Sequence, residues 1–180
     1  MHQQRMLGNI MDHSIEVARV ALYLATELRK KGQRVDLGLV EAASLLHDIT
    51  KSECLKTKED HARTGSELLK KLGYERVGEI VAEHIRLSKK NDASRITEEE
   101  IVNYADKRVQ HDRIVSLEER FIDLIERYGK GDPSSQHMEQ MRKATFEIEK
   151  RIFSILRMDP GSLQYFQPGQ DPKIGIEPHE

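Results

Sequence analysis

Histidine and aspartate recur along this chain at positions where a helix would point them inward. The 180 residues include eight histidines, and four of these stand among apolar residues that recur at helical spacing. Imidazole and carboxylate groups are good ligands for divalent first-row metals, and an aspartate is rarely buried unless it is paired or binds a metal. The candidate metal ligands are His13, His47, Asp48, His61, His84 and Asp106.

The segments that must position these side chains are predicted to be helical nearly throughout. Apolar spacing and terminal signals predict helices over about 10–30, 37–49, 57–72, 75–87, 97–109, 116–128 and from 134 or 135 to 157. Three pairs fit a capping-box pattern: Thr57 with Asp60, Thr97 with Glu100, and Ser116 with Glu119. No segment predicts a strand, so the expected fold class is all-α, a compact helical bundle with extra C-terminal helices.

The chain length favours one domain. We expect a single helical domain over 1–160, with the metal ligands in a core over about 10–115 and C-terminal helices over about 116–158. Residues 161–180 contain Pro, Gly and polar residues, and are expected to form a loosely attached tail. Part of the long last helix could instead form a homodimer surface.

Each candidate ligand taken alone has an ordinary explanation. A single histidine on an apolar helix face is usually a satisfied core residue. Asp48 could be a helix-end residue, and Asp106 could pair with Lys107 or Arg108. The metal interpretation therefore depends on the whole set and on its order along the chain.

That order resembles a known family. His13 in DHSIEVARVA, His47 and Asp48 in SLLHDITK, and Asp106 in NYADKRV resemble the H…HD…D signature of the HD-domain metal-dependent phosphohydrolases. The resemblance covers about residues 10–115, and it implies that these four residues hold a divalent transition metal. The HD dipeptide alone carries almost no information, whereas the four-part signature in its helical context is specific.

Two further histidines extend the resemblance. His61 in EDHARTGSELLKKLG and His84 in IVAEH look like the extra ligands of the binuclear HD subgroup, which includes bacterial hydrolases of diadenosine tetraphosphate. The resemblance implies two ions per chain, with Asp48 as the bridge between them. Iron or manganese is expected, with magnesium, nickel, cobalt and zinc as alternatives. The other interpretation is a single ion, with His61 and His84 binding substrate phosphate.

The resemblance implies a hydrolase that cleaves a phosphate ester or anhydride of a nucleotide or other small phosphorylated metabolite. A metal-activated hydroxide would attack phosphorus. Asp48 and Lys51 are the candidate catalytic residues, and the candidate substrate contacts are Lys51, Arg108 and His111. Arg63 and Arg86 are weaker candidates, better explained as solvated charges.

Two alternatives share the same ligand set. Some small HD proteins use a mixed-valent di-iron pair for oxygenation, and others are non-catalytic regulatory modules. The regulatory alternative is disfavoured because degenerate members typically lose a ligand, whereas all six positions are filled here.

Charge and composition narrow the partners. The net charge of −2 does not indicate a bulk nucleic-acid binder, and no long basic loop suggests an RNA substrate. No apolar run is long enough to cross a membrane. The single cysteine, Cys54, excludes an internal disulfide, so we expect a cytoplasmic protein.

Overall fold

The computed structural model describes residues 6–88, 94–128 and 132–165. Within them the chain forms eight α-helices, one short two-stranded ladder and one 3₁₀ helix. The helices are α1 (Gly8–Lys30), α2 (Leu37–Leu46), α3 (Lys51–Thr57), α4 (His61–Lys71), α5 (Glu75–Ala82), α6 (Glu98–Arg108), α7 (Leu117–Tyr128) and α8 (Asp132–Leu156). The all-α prediction is confirmed.

The core consists of two apolar clusters that share helices. In the larger cluster, α1, α6, α7 and α8 pack their apolar faces together. The smaller one joins α2, α4 and α5, and takes Val102 from α6. Because α6 contributes to both clusters, its residues are almost all buried. Polar side chains on this helix must therefore find partners inside the protein.

Helix starts follow the predicted caps with one correction. Thr97 and Glu100 form a capping box, and Ser116 exchanges hydrogen bonds with Glu119. The prediction that Thr57 opens a helix was wrong. Thr57 instead ends the unpredicted α3, and Asp60 caps α4 by accepting from two backbone amides.

A tight turn follows α6, where no strand was predicted. Strands β1 (Val109–Gln110) and β2 (Arg113–Ile114) pair antiparallel. His111 lies in the turn with a φ of 58°, in the left-handed region that non-glycine residues seldom adopt. The turn places the backbone of His111 beside α1, where its carbonyl oxygen contacts His13.

The packed chain continues beyond the predicted domain boundary. Residues Pro160–Tyr165 form the 3₁₀ helix, and Leu163 is buried in the larger cluster. The first residues of the expected tail therefore pack against the helices, and the rest of that tail lies outside the described residues. Among those described, no helix is both long and apolar enough to cross a membrane.

Candidate metal centre

Four of the predicted ligands meet on one side of the centre. His13, His47 and Asp48 each offer one ligand atom, and these atoms all lie within 4.8 Å of one another. Asp106 Oδ1 lies 3.1 Å from His13 Nε2 and 3.7 Å from His47 Nε2. We call His13, His47, Asp48 and Asp106 the first ligand group.

The remaining histidines approach the same aspartate from the other side. Asp48 Oδ1 lies 3.2 Å from His61 Nε2 and 3.7 Å from His84 Nε2. These three residues form a second group whose ligand atoms also lie within 4.8 Å of one another. We call them the second ligand group. Asp48 belongs to both groups, as expected of a bridging ligand.

Five segments of the fold supply the six side chains. His13 comes from the buried face of α1, and Asp106 comes from α6. His47 and Asp48 lie in the turn directly after α2, so consecutive side chains enter the centre. His61 is the first residue of α4, and His84 follows the end of α5.

Three imidazoles are held by backbone carbonyls. The Nδ1 atoms of His13, His47 and His84 lie 2.8, 2.7 and 2.7 Å from the carbonyl oxygens of His111, Ser44 and Val81. A carbonyl only accepts, so Nδ1 carries a proton in each ring, and Nε2 is the ring atom that faces the centre. Metal-binding histidines in proteins are oriented in this way.

Two buried atoms at the middle of the centre have no hydrogen-bond partner within the described chain. They are His47 Nε2 and Asp48 Oδ1. Asp48 Oδ1 has imidazole nitrogens nearby, but without hydrogen-bond geometry. A buried polar atom without a partner costs about 1–3 kcal/mol. These two potential ligand atoms face a common space and are not bonded to each other. Such an arrangement fits one or more metal ions.

The electrostatics keep the ligands in their metal-binding forms. Burial alone would raise the pKa of Asp48, but its interactions with the imidazoles of His47 and His61 and with the ammonium of Lys51 outweigh burial and hold the pKa well below its usual value. Burial would likewise raise the pKa of Asp106, yet the Lys107 ammonium and the imidazole of His13 keep it well below normal.

For two of the buried imidazoles, burial outweighs the nearby carboxylates and favours the neutral form. Burial lowers the pKa of His84 to about 3, and it also lowers the pKa of His47. Since neutral imidazole and ionised carboxylate are the forms that bind metals, both ligand types are ready near neutral pH.

Lys51 is at the open edge of the centre. Its Nζ donates to Asp48 Oδ2 at 2.6 Å, and its side chain remains 33% exposed. Burial would lower the pKa of Lys51, but Asp48 and Asp106 raise it above its usual value. The ammonium is thus charged, and it retains donors for a substrate oxygen.

The structure gives Arg108 a role other than the substrate contact suggested by the sequence. The residue is 1% exposed, and its guanidinium donates to Tyr104, Glu149 and the carbonyl of Pro160. These bonds attach α8 and the 3₁₀ helix to α6. Since the guanidinium is turned toward the C-terminal helices and occupied there, it does not offer a free cation to a ligand.

His111 contributes through its backbone. Its carbonyl holds His13, whereas its imidazole is exposed and lies 3.5 Å from Arg127. A substrate contact through that imidazole stays a prediction. Arg63 pairs with Glu67 on the exposed face of α4, and Arg86 is an exposed residue after His84.

Two polar residues of α6 were not identified from the sequence as parts of the site. Lys107 is 3% exposed and Asn103 is 3% exposed, and both donate to the backbone carbonyl of His84. Lys107 had been considered only as an ordinary charge partner of Asp106. The available signal was the spacing of Asn103, which lies three residues before Asp106 and therefore near the same helix face.

Comparison with known proteins agrees with this geometry. The HD domain family matches residues 10–129, two-thirds of the chain. The protein therefore belongs to the HD domain family, which points to the superfamily of metal-dependent phosphohydrolases.

Individual relatives add little about substrate. An uncharacterized protein of Methanocaldococcus jannaschii, MJ0778, is 29% identical over 139 residues, which are 70% of this chain and 81% of that protein. Ribonuclease Y of Acetivibrio thermocellus is 40% identical over 73 residues, 41% of this chain but 13% of that protein. Ribonuclease Y 1 of Pediococcus pentosaceus is 44% identical over 63 residues, 35% of this chain and 11% of that protein. No solved structure gives a significant match.

Proposed function

We propose that this protein is a phosphohydrolase with two divalent transition-metal ions per chain. Its substrate would be a phosphate ester or anhydride of a nucleotide or another small phosphorylated metabolite. The observation that carries the proposal is the pair of ligand groups that share Asp48. The binuclear subgroup suggested by the sequence is part of this proposal, because one residue bridging two groups is what a two-ion centre requires.

The first ligand group would hold one ion and the second group the other. Bound divalent ions supply an activated water and stabilise charge on phosphoryl oxygens. Iron or manganese suits the mixed histidine and carboxylate donors. The family match and the mixture of histidine and carboxylate ligands both suit divalent transition-metal ions.

The chain's own residues supply orientation and charge. Lys51 would bind a phosphoryl oxygen with the donors that Asp48 leaves free, since its side chain is 33% exposed beside that carboxylate. Its bond to Asp48 Oδ2 directs Oδ1 toward His61 and His84. The Lys51 ammonium would therefore orient two groups, the substrate oxygen and the metal-binding carboxylate of Asp48.

RNA is a second candidate substrate, because two of the relatives are called ribonuclease Y. The similarity covers only 13% and 11% of those proteins. It therefore supports a shared metal site better than it supports a shared substrate. The net charge of −2 lacks the basic excess expected for extended nucleic-acid contacts. We therefore place small phosphorylated metabolites first.

A substrate panel tests the proposal. Protein purified without chelators would be supplied with Mn²⁺ under nitrogen and offered nucleotides, sugar phosphates, dinucleoside polyphosphates and short RNA. We expect phosphate or nucleotide release from a small metabolite. Asp48→Ala should release nothing, whereas Lys143→Met, at an exposed lysine of α8, is the control and should match the natural protein.

Other outcomes favour the alternatives. Release from RNA alone would replace the metabolite by RNA. A parallel assay of iron-loaded protein in air would test the oxygenase: oxygen consumption with an organic phosphonate or polyol, and no hydrolysis under nitrogen, would favour the di-iron oxygenase. A metal-loaded protein that turns over none of these compounds would contradict the proposed activity and favour a non-catalytic HD module.

A further inference from the structure

A buried lysine links the two ligand groups. Lys107 Nζ donates to Asp106 Oδ2 at 2.8 Å and to the carbonyl oxygen of His84 at 2.7 Å. Asp106 belongs to the first ligand group and His84 to the second. Lysine is almost never fully buried unless it is paired, and the side chain of Lys107 is 4% exposed. One ammonium therefore contacts a residue from each side of the centre.

On the first side, Lys107 determines which oxygen of Asp106 faces the centre. The lysine occupies Oδ2, while Oδ1 lies 3.1 Å from His13 Nε2 and 3.7 Å from His47 Nε2. Without the ammonium, no hydrogen bond in the described chain would hold Oδ2, and the carboxylate would be fixed through Oδ1 alone. The hydrogen bond therefore presents a single, fixed oxygen to the first ligand group.

On the second side, Lys107 helps to fix the turn that carries His84. Asn103 Nδ2 donates to the carbonyls of Glu83 and His84, each at 3.0 Å, and Lys107 donates to the second of these. The turn follows the end of α5, where the amides of Glu83 and His84 bond to carbonyls three residues earlier. Helix α6 thus sets the position of a ligand that it does not itself carry.

We propose that Lys107 is a positioning residue that couples the two halves of the metal centre. Its role differs from that of Lys51, which is 33% exposed and available to substrate, because the bonds of Lys107 are directed at protein groups. The inference rests on the two-ion centre proposed above. It does not require that the protein be a hydrolase.

Two opposing effects decide the outcome of removing the lysine. Its hydrogen bonds preorganise the ligands, and loss of such outer partners typically lowers metal affinity about 10- to 100-fold. Its positive charge repels cations, so loss of charge alone would raise affinity. The proposal requires that positioning outweighs charge.

These effects are separated by titrating chelator-treated protein with Mn²⁺ and measuring the binding by calorimetry. We expect Lys107→Met to bind both ions about 10- to 100-fold more weakly than the natural protein. Asn103→Ala contacts only the His84 side, so it should weaken one ion and leave the other. Lys143→Met, at an exposed lysine of α8, is the control and should bind as the natural protein does.

Lys107→Gln removes the charge but keeps a hydrogen-bond donor, and should recover most of the affinity lost in Lys107→Met. The Gln variant also tests the proposal if circular dichroism shows that the Met variant does not fold. In that case the Gln variant should bind both ions within a few-fold of the affinity of the natural protein. Its Co²⁺ absorption spectrum should be the same as that of the natural protein. Wild-type or tighter binding by folded Lys107→Met would overturn the proposal. So would a Gln variant that loses both ions. Because the readout is metal binding, a protein that meets these expectations but hydrolyses nothing would contradict only the proposed activity.

Discussion

The two ligand groups differ in how firmly their imidazoles are held. In the first group, both histidines are buried and donate through Nδ1 to backbone carbonyls. In the second group, His84 is held in the same way, but the side chain of His61 is 24% exposed and no Nδ1 partner is found for it in the described chain. One edge of the centre is therefore rigid, and the other is open.

This difference indicates a division of labour. A preorganised group binds an ion tightly because its donors pay no ordering cost on binding. The edge formed by His61 and Lys51 is where solvent and substrate can reach the centre. The backbone there is still fixed, since Thr50 donates to the carbonyl of His61 at 2.9 Å, so only the imidazole is adaptable.

The largest expected contrast comes from removing one histidine from each group. His47→Ala should lower the affinity for the first ion at least about 100-fold, beyond the effect typical of an outer partner. It should also weaken the second ion, because Asp48 loses a neighbour. His61→Ala should leave one tightly bound ion per chain. Metal analysis after extensive dialysis measures both outcomes.

Equal losses in the two variants would break the comparison. It would fail equally if His61→Ala emptied the centre while His47→Ala kept one ion, because the rigid group would then not be the stronger one. Circular dichroism of each variant controls for misfolding.

The buried histidines also predict a dependence of stability on pH. His84 has a pKa of about 3 in the folded protein against 6.5 when unperturbed. Below pH 6.5 the unfolded chain therefore takes up a proton that the folded chain resists, and stability falls as pH falls. Between pH 7 and pH 5, His84 alone should cost the metal-free protein about 2 kcal/mol.

Urea unfolding of chelator-treated protein at the two pH values measures this loss. The carboxylates do not interfere, because the pKa values of Asp48 and Asp106 are lowered, and the stability they contribute is lost only below the unperturbed value of 3.8. A His84→Asn variant should show a smaller loss. Stability that is unchanged or higher at pH 5 would contradict the burial of neutral imidazoles.

The smallest effect is expected at the open edge. Lys51→Met should lower kcat/KM about tenfold on the substrate found in the panel, since a hydrogen bond to a charged group contributes about 1.5 kcal/mol. Both ions should still bind at saturating Mn²⁺, although the loss of a bond that orients Asp48 should lower their affinity. Loss of both ions in this variant would instead assign Lys51 to the rigid side of the centre.

Much of this arrangement was predictable from the sequence. Helical periodicity predicted most of the helices, and the order of His13, His47, Asp48 and Asp106 predicted a set of side chains that the fold brings together. A polar residue on the apolar face of a helix needs a buried partner. Polar residues that interrupt the apolar faces of different helices are therefore expected to lie close together.

Other features depend on contacts that are distant in sequence. Arg108 follows Asp106 by two residues, yet its partners Glu149 and Pro160 lie more than forty residues further on. Lys107 acquires its role from the carbonyl of His84, a backbone group that no side-chain pattern reveals. Local sequence indicates that a charge is buried, but not which distant group receives its hydrogen bonds.

The most direct test of the shared centre is the metal content of Asp48→Ala beside that of the natural protein. Asp48 is the residue that belongs to both ligand groups. Purified without chelators, the natural protein should contain two transition-metal ions per chain, and the folded variant should retain neither after dialysis. A natural protein that folds and binds no transition metal, or an Asp48→Ala variant that keeps both ions, would contradict the account.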